Sequence, residues 1–194
     1  MEDILAKGHR SVVYLIEFNG KKAVKKVEKI NICAINRIQN EIFWLNKLNK
    51  YKIGPRLYSS GQNYFICGYI DGKRIIDYFK ESENPKKIIL DVLKQCRTMD
   101  KLKIDKKEMS NPYKHIIINK NKAIMIDFER AKFSLKPSNV TAFFQFLTSK
   151  KVYSILEKKG IFINKDKVID LLRNYKTNYS EKDFNNLIKK IKIH

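Results

Sequence analysis

Three side chains in this sequence have the types and the order of a phosphate-handling site. Lys25 lies in Lys22-Ala-Val-Lys25, Glu41 in Gln39-Asn-Glu41-Ile-Phe-Trp-Leu, and Asp127 in Ala123-Ile-Met-Ile-Asp127-Phe-Glu-Arg-Ala. Upstream of Lys25 stands the run Gly8-His9-Arg10-Ser11. A flexible glycine turn lets backbone N–H groups approach phosphate oxygens, and a lysine on the neighbouring strand supplies positive charge to them. Such a lysine needs a carboxylate to hold it, and Glu41 is the acidic residue on the following helix. An aspartate at the end of a buried apolar strand is costly unless it is paired or holds a metal ion. Each signal also has a plainer reading. Lys25 is one of 41 basic residues and the turn holds a single glycine. Asp127 could simply cap the turn that follows it.

The elements that must position these groups are legible in outline. Ser11-Val-Val-Tyr-Leu-Ile-Glu-Phe18 is rich in β-branched and aromatic residues and runs into Asn19-Gly20, the strongest two-residue hairpin signal. Lys22–Val27 is then the second strand. From Ile32 to Leu48, apolar residues at Ile35, Ile38, Ile42, Leu45 and Leu48 follow a helical period, and Gly54-Pro55 stops it. Strands are expected at Arg56–Ser59 and Tyr64–Tyr69, with Ser60–Asn63 as their turn. From Ile75 onward the pattern is mostly helical. Ile88–Leu102 carries one apolar face, and short strands at His115–Asn119 and Ala123–Phe128 flank Lys120-Asn121-Lys122. The last third reads as helices at Val140–Leu147, Val152–Lys158, Lys165–Tyr175 and Ser180–Lys190, with Ser180-Glu-Lys-Asp183 as a capping box.

Length and composition bound what this can be. The chain has 194 residues, 43% hydrophobic, which suits one globular domain or two small lobes. Its net charge is +21, which favours a polyanionic partner at the cost of self-repulsion. From Ala131 onward there are 14 basic and 5 acidic residues, against 27 and 15 before it, so both halves are positive. Cys33, Cys67 and Cys96 are odd in number and far apart, and His9, His115 and His194 are equally scattered. Neither a disulfide framework nor a zinc or histidine metal cluster is expected. The N-terminus has no apolar core of signal-peptide length, and no run approaches the roughly 18 apolar residues that cross a bilayer. A soluble, cytoplasmic protein without membrane contact is expected.

Taken in order, the glycine loop, strand lysine, helix glutamate, apolar hairpin and aspartate resemble a protein kinase over about two-thirds of the chain. Protein kinases carry their magnesium-binding Asp-Phe-Gly on such a hairpin; here Glu129 replaces the glycine. Phe65-Ile-Cys67-Gly68-Tyr69-Ile70-Asp71-Gly72 resembles a kinase hinge, whose backbone around Gly68 and Ile70 would read the adenine edge. The resemblance implies an α+β, minimal protein-kinase-like bilobal fold. Residues 1–68 would form a small β-rich N-lobe with one helix, and 69–194 a mostly helical C-lobe. It implies an ATP site at Gly8, His9, Arg10, Ser11, Lys25, Gly68 and Ile70, with Glu41 holding Lys25 and Mg2+ on Asp127. Only 67 residues follow Asp127, so the size is similar to the smallest atypical kinases, of the Bud-thirty-two and RIO type.

The catalytic loop departs from the His-x-Asp-x-x-x-x-Asn pattern. Aligned through Ile116-Ile-Ile, the sequence Lys107-Glu-Met-Ser-Asn-Pro-Tyr-Lys-His115 puts His115 at the asparagine and Ser110 at the aspartate. Three outcomes stay open: a pseudokinase, another base with Glu108 as the nearest carboxylate, or little need for a base, because positioning and charge neutralisation carry most of phosphoryl transfer. Lys114 would then sit near the transferring group, and His115 would position or bond a phosphate rather than bind magnesium, which prefers oxygen.

The same departure carries a closer resemblance. The run Glu108-Met-Ser-Asn-Pro-Tyr-Lys-His-Ile-Ile-Ile118, with Met125-Ile-Asp-Phe-Glu-Arg-Ala131 and Asn139-Val-Thr-Ala-Phe-Phe-Gln-Phe-Leu147, is similar to short archaeal proteins described as predicted serine/threonine kinases. That family includes an RNA kinase acting on a ribose 2′-hydroxyl of tRNA. It implies ATP-dependent transfer of the γ-phosphate to tRNA, and the charge of +21 agrees with such a substrate. A docking surface is expected on the basic, aromatic-bearing C-terminus at Lys158, Lys159, Arg173, Tyr175, Lys176 and Lys189–Lys192, which also reads as the solvated face of amphipathic helices. A serine/threonine protein kinase and a non-catalytic RNA-binding pseudokinase are the alternatives. The missing aspartate and short tail count against the first, and Lys25, Glu41 and Asp127 together count against the second. The charge generates a first prediction: tRNA binding, measured by filter retention or anisotropy, falls steeply with added salt, whereas ATP binding changes much less.

Overall fold

The computed structural model describes residues 3–29 and 36–193. Ile32, Cys33, Ile35 and His194 therefore lie outside the described residues. The chain is α+β and divides into two compact units. The first holds Met1–Asp71 together with Ile124–Ala131, and the second Gly72–Ala123 with Lys132–His194. The sequence placed a single boundary after Gly68; the chain instead returns to the first unit for the eight residues that include Asp127.

The first unit is an antiparallel sheet of order β1-β2-β3-β5-β4, with one helix. Its strands are β1 (Asp3–Lys7), β2 (Ser11–Phe18), β3 (Lys21–Glu28), β4 (Leu57–Ser60) and β5 (Tyr64–Gly68). Asn19 and Gly20 join β2 to β3 with φ of 51° and 70°, the positive pair that a two-residue turn of this kind demands. The turn pairs Phe18 with Lys21 and, five residues back, Val13 with Lys26. β1 was not expected. Every residue of it is exposed, so pairing with β2, rather than a buried apolar face, makes it a strand. The helix α1 (Arg37–Asn49) buries Ile38, Ile42, Leu45 and Leu48 with Glu41 and Trp44. Gly54, at φ 83°, ends the turn after it; a Cβ there would stand 3.0 Å from Leu45 and 3.1 Å from Phe128.

The second unit is mostly helical. It comprises β6 (Lys73–Arg74), α2 (Ile75–Glu81), α3 (Lys86–Lys101), β7 (Ile104–Asp105), a 3-10 turn at Pro112–Lys114, β8 (Ile116–Asn119) and the first half of β9 (Lys122–Met125), whose last two residues belong to the first unit. Then follow β10 (Lys132–Phe133), α4 (Asn139–Leu147), α5 (Lys150–Glu157), β11 (Ile161–Phe162), α6 (Lys165–Asn178), α7 (Glu181–Ile188) and β12 (Lys192–Ile193). The face of α3 read from the sequence, Ile88, Ile89, Val92, Leu93, Cys96 and Met99, is fully buried. Ser180 caps α7 by accepting from the Asp183 N–H at 3.0 Å. β9 ends at Met125, earlier than expected, so Asp127 is not a strand residue. It sits two residues beyond, at φ 62°, in the left-handed region where aspartate is among the tolerated types. Cys67 and Cys96 are free, and among the described residues no helix is long and apolar enough to cross a membrane.

A buried polar knot holds this unit. Asp100, at the end of α3, accepts from the Asn139 N–H at 3.1 Å, the Asn139 side-chain amide at 2.7 Å, the Val140 N–H at 3.3 Å and the Tyr175 hydroxyl at 2.9 Å. It thereby supplies the otherwise unpaired N–H groups at the start of α4. Burial pushes the Asp100 carboxyl up, and these four bonds pull it back. Asn139 in turn donates to the Ile104 carbonyl at 2.6 Å and accepts from the Lys106 N–H at 2.9 Å. Tyr175 is therefore interior, and its ring is withdrawn from the exposed aromatic surface expected of the C-terminus. Asp100→Ala strands several buried donors at once, so it should lower the unfolding free energy by about 3 kcal/mol in urea titrations. A loss under about 1 kcal/mol would show that the knot does not hold the unit together.

Candidate functional site

The lysine that β3 presents to Glu41 and Asp127 is Lys26. Its Nζ donates to Glu41 Oε2 at 2.7 Å and to Asp127 Oδ1 at 3.1 Å, and lies 3.8 Å from Glu129 Oε2. Lys25, the residue chosen from sequence, points the other way, with its Nζ 5.9 Å from the centre of the Tyr64 ring. Successive strand residues alternate between faces, so a choice one residue off reverses the side. The Asn19-Gly20 turn sets the register, opposing Lys26 to Val13 and Lys25 to Tyr14. The register was thus within reach of the sequence. The face was not, because β2 is apolar on both sides, with Val12, Val13, Tyr14, Leu15 and Ile16 in succession.

Glu41 joins three segments of the first unit. Its side chain rises from α1, pairs with Lys26 on β3, and accepts the Phe128 N–H at 3.0 Å on its other oxygen. It is 3% exposed. Burial pushes its carboxyl up, against the pull of Lys26. For Lys26, burial works against the ammonium, but Glu41, Asp127 and Glu129 outweigh it and hold the group above the ordinary lysine value. Lys26 therefore stays charged. Cys67, on the same face of the sheet, is pushed up to about 12 by burial and the nearby Glu41 charge. It is no nucleophile at neutral pH.

The turn bearing Asp127 is pinned on its far side. Asn40 donates its side-chain amide to the carbonyls of Glu129 at 2.9 Å and Ala131 at 3.1 Å. Glu129, which replaces the glycine of the kinase motif, also stands 3.6 Å from Arg10 Nη1. Arg10 thus belongs to the charge cluster, a link that the sequence did not reveal. Gly8–Ser11 is a tight turn between β1 and β2, closed by the Gly8 N–H on the Ser11 carbonyl at 2.9 Å. The Gly8 N–H is therefore engaged within the turn, and Lys29 Nζ donates to the Gly8 carbonyl at 2.8 Å. His9 is exposed and Ser11 pairs with Glu28 as β2 begins. At the end of β5, the Gly68 N–H donates to the Arg56 carbonyl at 2.9 Å, and half-buried Ile70 follows.

Glu108, Ser110, Lys114 and His115 all lie in the second unit, between β7 and β8. Ser110 and Lys114 are exposed. Glu108 and His115 converge, with His115 Nδ1 3.4 Å from Glu108 Oε2. The same oxygen lies 3.6 Å from Nζ of Lys106, a lysine with 0% of its side chain exposed. Lys106 went unnoticed in the sequence because it stands among Lys101, Lys103 and Lys107. Its backbone N–H donates to Asn139 Oδ1 at 2.9 Å. Among the described residues, no three His, Cys, Asp or Glu side chains converge as a ready metal cage. No protein-family model matches the chain, and no curated protein matches it. The geometry makes a sharp distinction between adjacent lysines. Lys26→Met leaves Glu41 buried without its cation and should cost about 3 kcal/mol in urea unfolding. Lys25→Met should change stability by no more than about 0.5 kcal/mol.

Proposed function

We propose that this protein is an ATP-dependent RNA kinase that transfers the γ-phosphate of ATP to a ribose 2′-hydroxyl of tRNA. The observation that supports it best is the buried Lys26–Glu41 pair with Asp127 Oδ1 3.1 Å from the same ammonium. A permanent cation, a carboxylate that fixes it, and a second carboxylate beside it are the protein groups that phosphoryl transfer from a nucleotide requires. Glu41 holds Lys26 in place. Lys26 faces nucleotide phosphates with a charge that burial has not neutralised. Val13, Val24 and Cys67 share its face of the sheet and offer an apolar wall for a base.

The donor set fits magnesium. Asp127 is one-third exposed on its side chain and presents hard carboxylate oxygens from a fixed turn. Magnesium takes one or two such carboxylates, keeps several waters and completes its shell with substrate phosphates, so no protein cage is needed. When bound, it would neutralise charge on the phosphates being transferred. The RNA part of the proposal is supported by the charge of +21 and by exposed Lys158, Arg173, Lys176 and Lys189. It is not supported by stacking on Tyr175, which is buried.

Incubation with γ-labelled ATP and Mg2+, with tRNA and a generic protein offered in parallel, tests the proposal. Label enters tRNA, and Lys26→Ala or Asp127→Ala lowers the rate by at least about 100-fold. Lys25→Ala keeps most of the activity. Label in protein alone overturns the RNA substrate, and nucleotide binding without transfer to either overturns the enzyme.

A further inference from the structure

We propose that the short ribbon of β7 and β10, with the loop that follows it, docks an unpaired stretch of RNA: bases lie against Phe133 and Leu135, and phosphates meet Lys103, Lys132 and Lys136. The inference rests on the RNA substrate proposed above and concerns the second unit alone. β7 and β10 are antiparallel, with Lys132 opposite Asp105 and Phe133 opposite Ile104. The Ser134 N–H adds one more bond, to the Lys103 carbonyl at 2.9 Å. Ile104 is fully buried, so the ribbon is anchored to the core. Phe133 and Leu135 stand largely outside that core. They are 55% and 87% exposed, the two most exposed large apolar side chains among the described residues. Apolar area left in water adds nothing to the fold, and two such side chains rimmed by charge have the form of a binding surface.

The charge around them has one sign at the surface. Segments 101–107 and 132–138 hold six lysines and one acid, Asp105. Asp105 is 3% exposed and engaged internally. It accepts the Lys107 N–H at 3.0 Å and the Ser138 hydroxyl at 3.2 Å, and Lys107 Nζ lies 3.1 Å from it. Lys106 is enclosed, and Lys101 donates to Glu181 at 2.9 Å. Lys103, Lys132 and Lys136 are exposed. Lys103 is also set in place, with Nζ 4.7 Å from the centre of the Tyr179 ring, whose hydroxyl donates to the Pro137 carbonyl at 2.9 Å. A polyanion with flat apolar bases fits this mixture. Aromatic and aliphatic side chains accept the face of any base, and lysines neutralise the phosphates beside it. Bases stacked inside a duplex are closed to such contact, so the occupant is unpaired. A membrane surface would need a wider apolar face than two side chains.

Fluorescence anisotropy with the full chain and a short labelled oligouridine, alone or paired with oligoadenine, tests this. The single strand should bind at least about five-fold more tightly than the duplex. Phe133→Ala should weaken single-strand binding about ten-fold, and Phe133→Trp should keep it. Leu135→Ser, at a position too exposed to threaten folding, should weaken it about three-fold. Lys132→Gln combined with Lys136→Gln should lower the slope of log affinity against log salt by about 1.4, from two contacts at roughly 0.7 each on a single strand. Phe133→Ala should leave that slope unchanged. Ribbon variants that bind the single strand like the parent overturn the assignment while the RNA reading stands. Duplex bound as tightly as the single strand overturns it too. So does a loss confined to binding of phosphatidylcholine–phosphatidylglycerol vesicles, with RNA binding intact. A parent protein that binds neither RNA removes the RNA substrate, and this assignment falls with it.

Discussion

The Lys26–Glu41 ion pair is the constraint around which the first unit is built. Removing an ammonium and a carboxylate from water is expensive, and their attraction compensates only when geometry is good and the remaining lone pairs are satisfied. Both conditions hold here. The pair is 2.7 Å long, and the free Glu41 oxygen takes the Phe128 N–H. One carboxylate therefore ties the sheet, the helix and the returning segment 124–131 together. Asp127 lies one residue before that N–H, so its place at 3.1 Å from Lys26 follows from the same contact. The same pair keeps Lys26 charged, since Glu41, Asp127 and Glu129 together outweigh the cost of burying the ammonium.

The second unit solves a similar problem with a carboxylate and neutral partners. Asp100 accepts four hydrogen bonds and gathers the starts of α4 and, through Asn139, the loop after β7. The loop needs this help because its residues form no long element of their own. Between β7 and β8 it has a single 3-10 turn at Pro112–Lys114. Lys106 lies inward with its Nζ 3.6 Å from Glu108 Oε2, and His115 Nδ1 stands 3.4 Å from the same oxygen. In both units a buried charge fixes backbone that would otherwise wander, and the candidate reactive groups sit beside those charges.

Elements with a strong local signal were legible from the chain. The Asn19-Gly20 hairpin, the apolar face of α3 and the cap at Ser180 rest on turn chemistry and periodicity, which act over a few residues. β1 was not legible, because an exposed edge strand carries no buried pattern and exists through its neighbour. The strand predicted to reach Phe128 stops at Met125, since the apolar run continues past the last ladder residue into a turn with Asp127 at φ 62°. Tyr175 looked like a surface aromatic within a basic stretch. Its hydroxyl instead completes Asp100, a partner 75 residues away.

For the site, the order and residue types came from sequence: a strand lysine, Glu41 on the next helix, and an aspartate after an apolar hairpin. Those depend on local composition and spacing. Which of Lys25 and Lys26 pairs with Glu41, that Arg10 and Glu129 meet, and that Lys106 turns inward to Glu108 and His115 were decided by tertiary structure. The physical reason is common to all three. Adjacent strand residues have opposite faces and nearly identical local signals, and a charge shows its role only through the partner that burial brings to it.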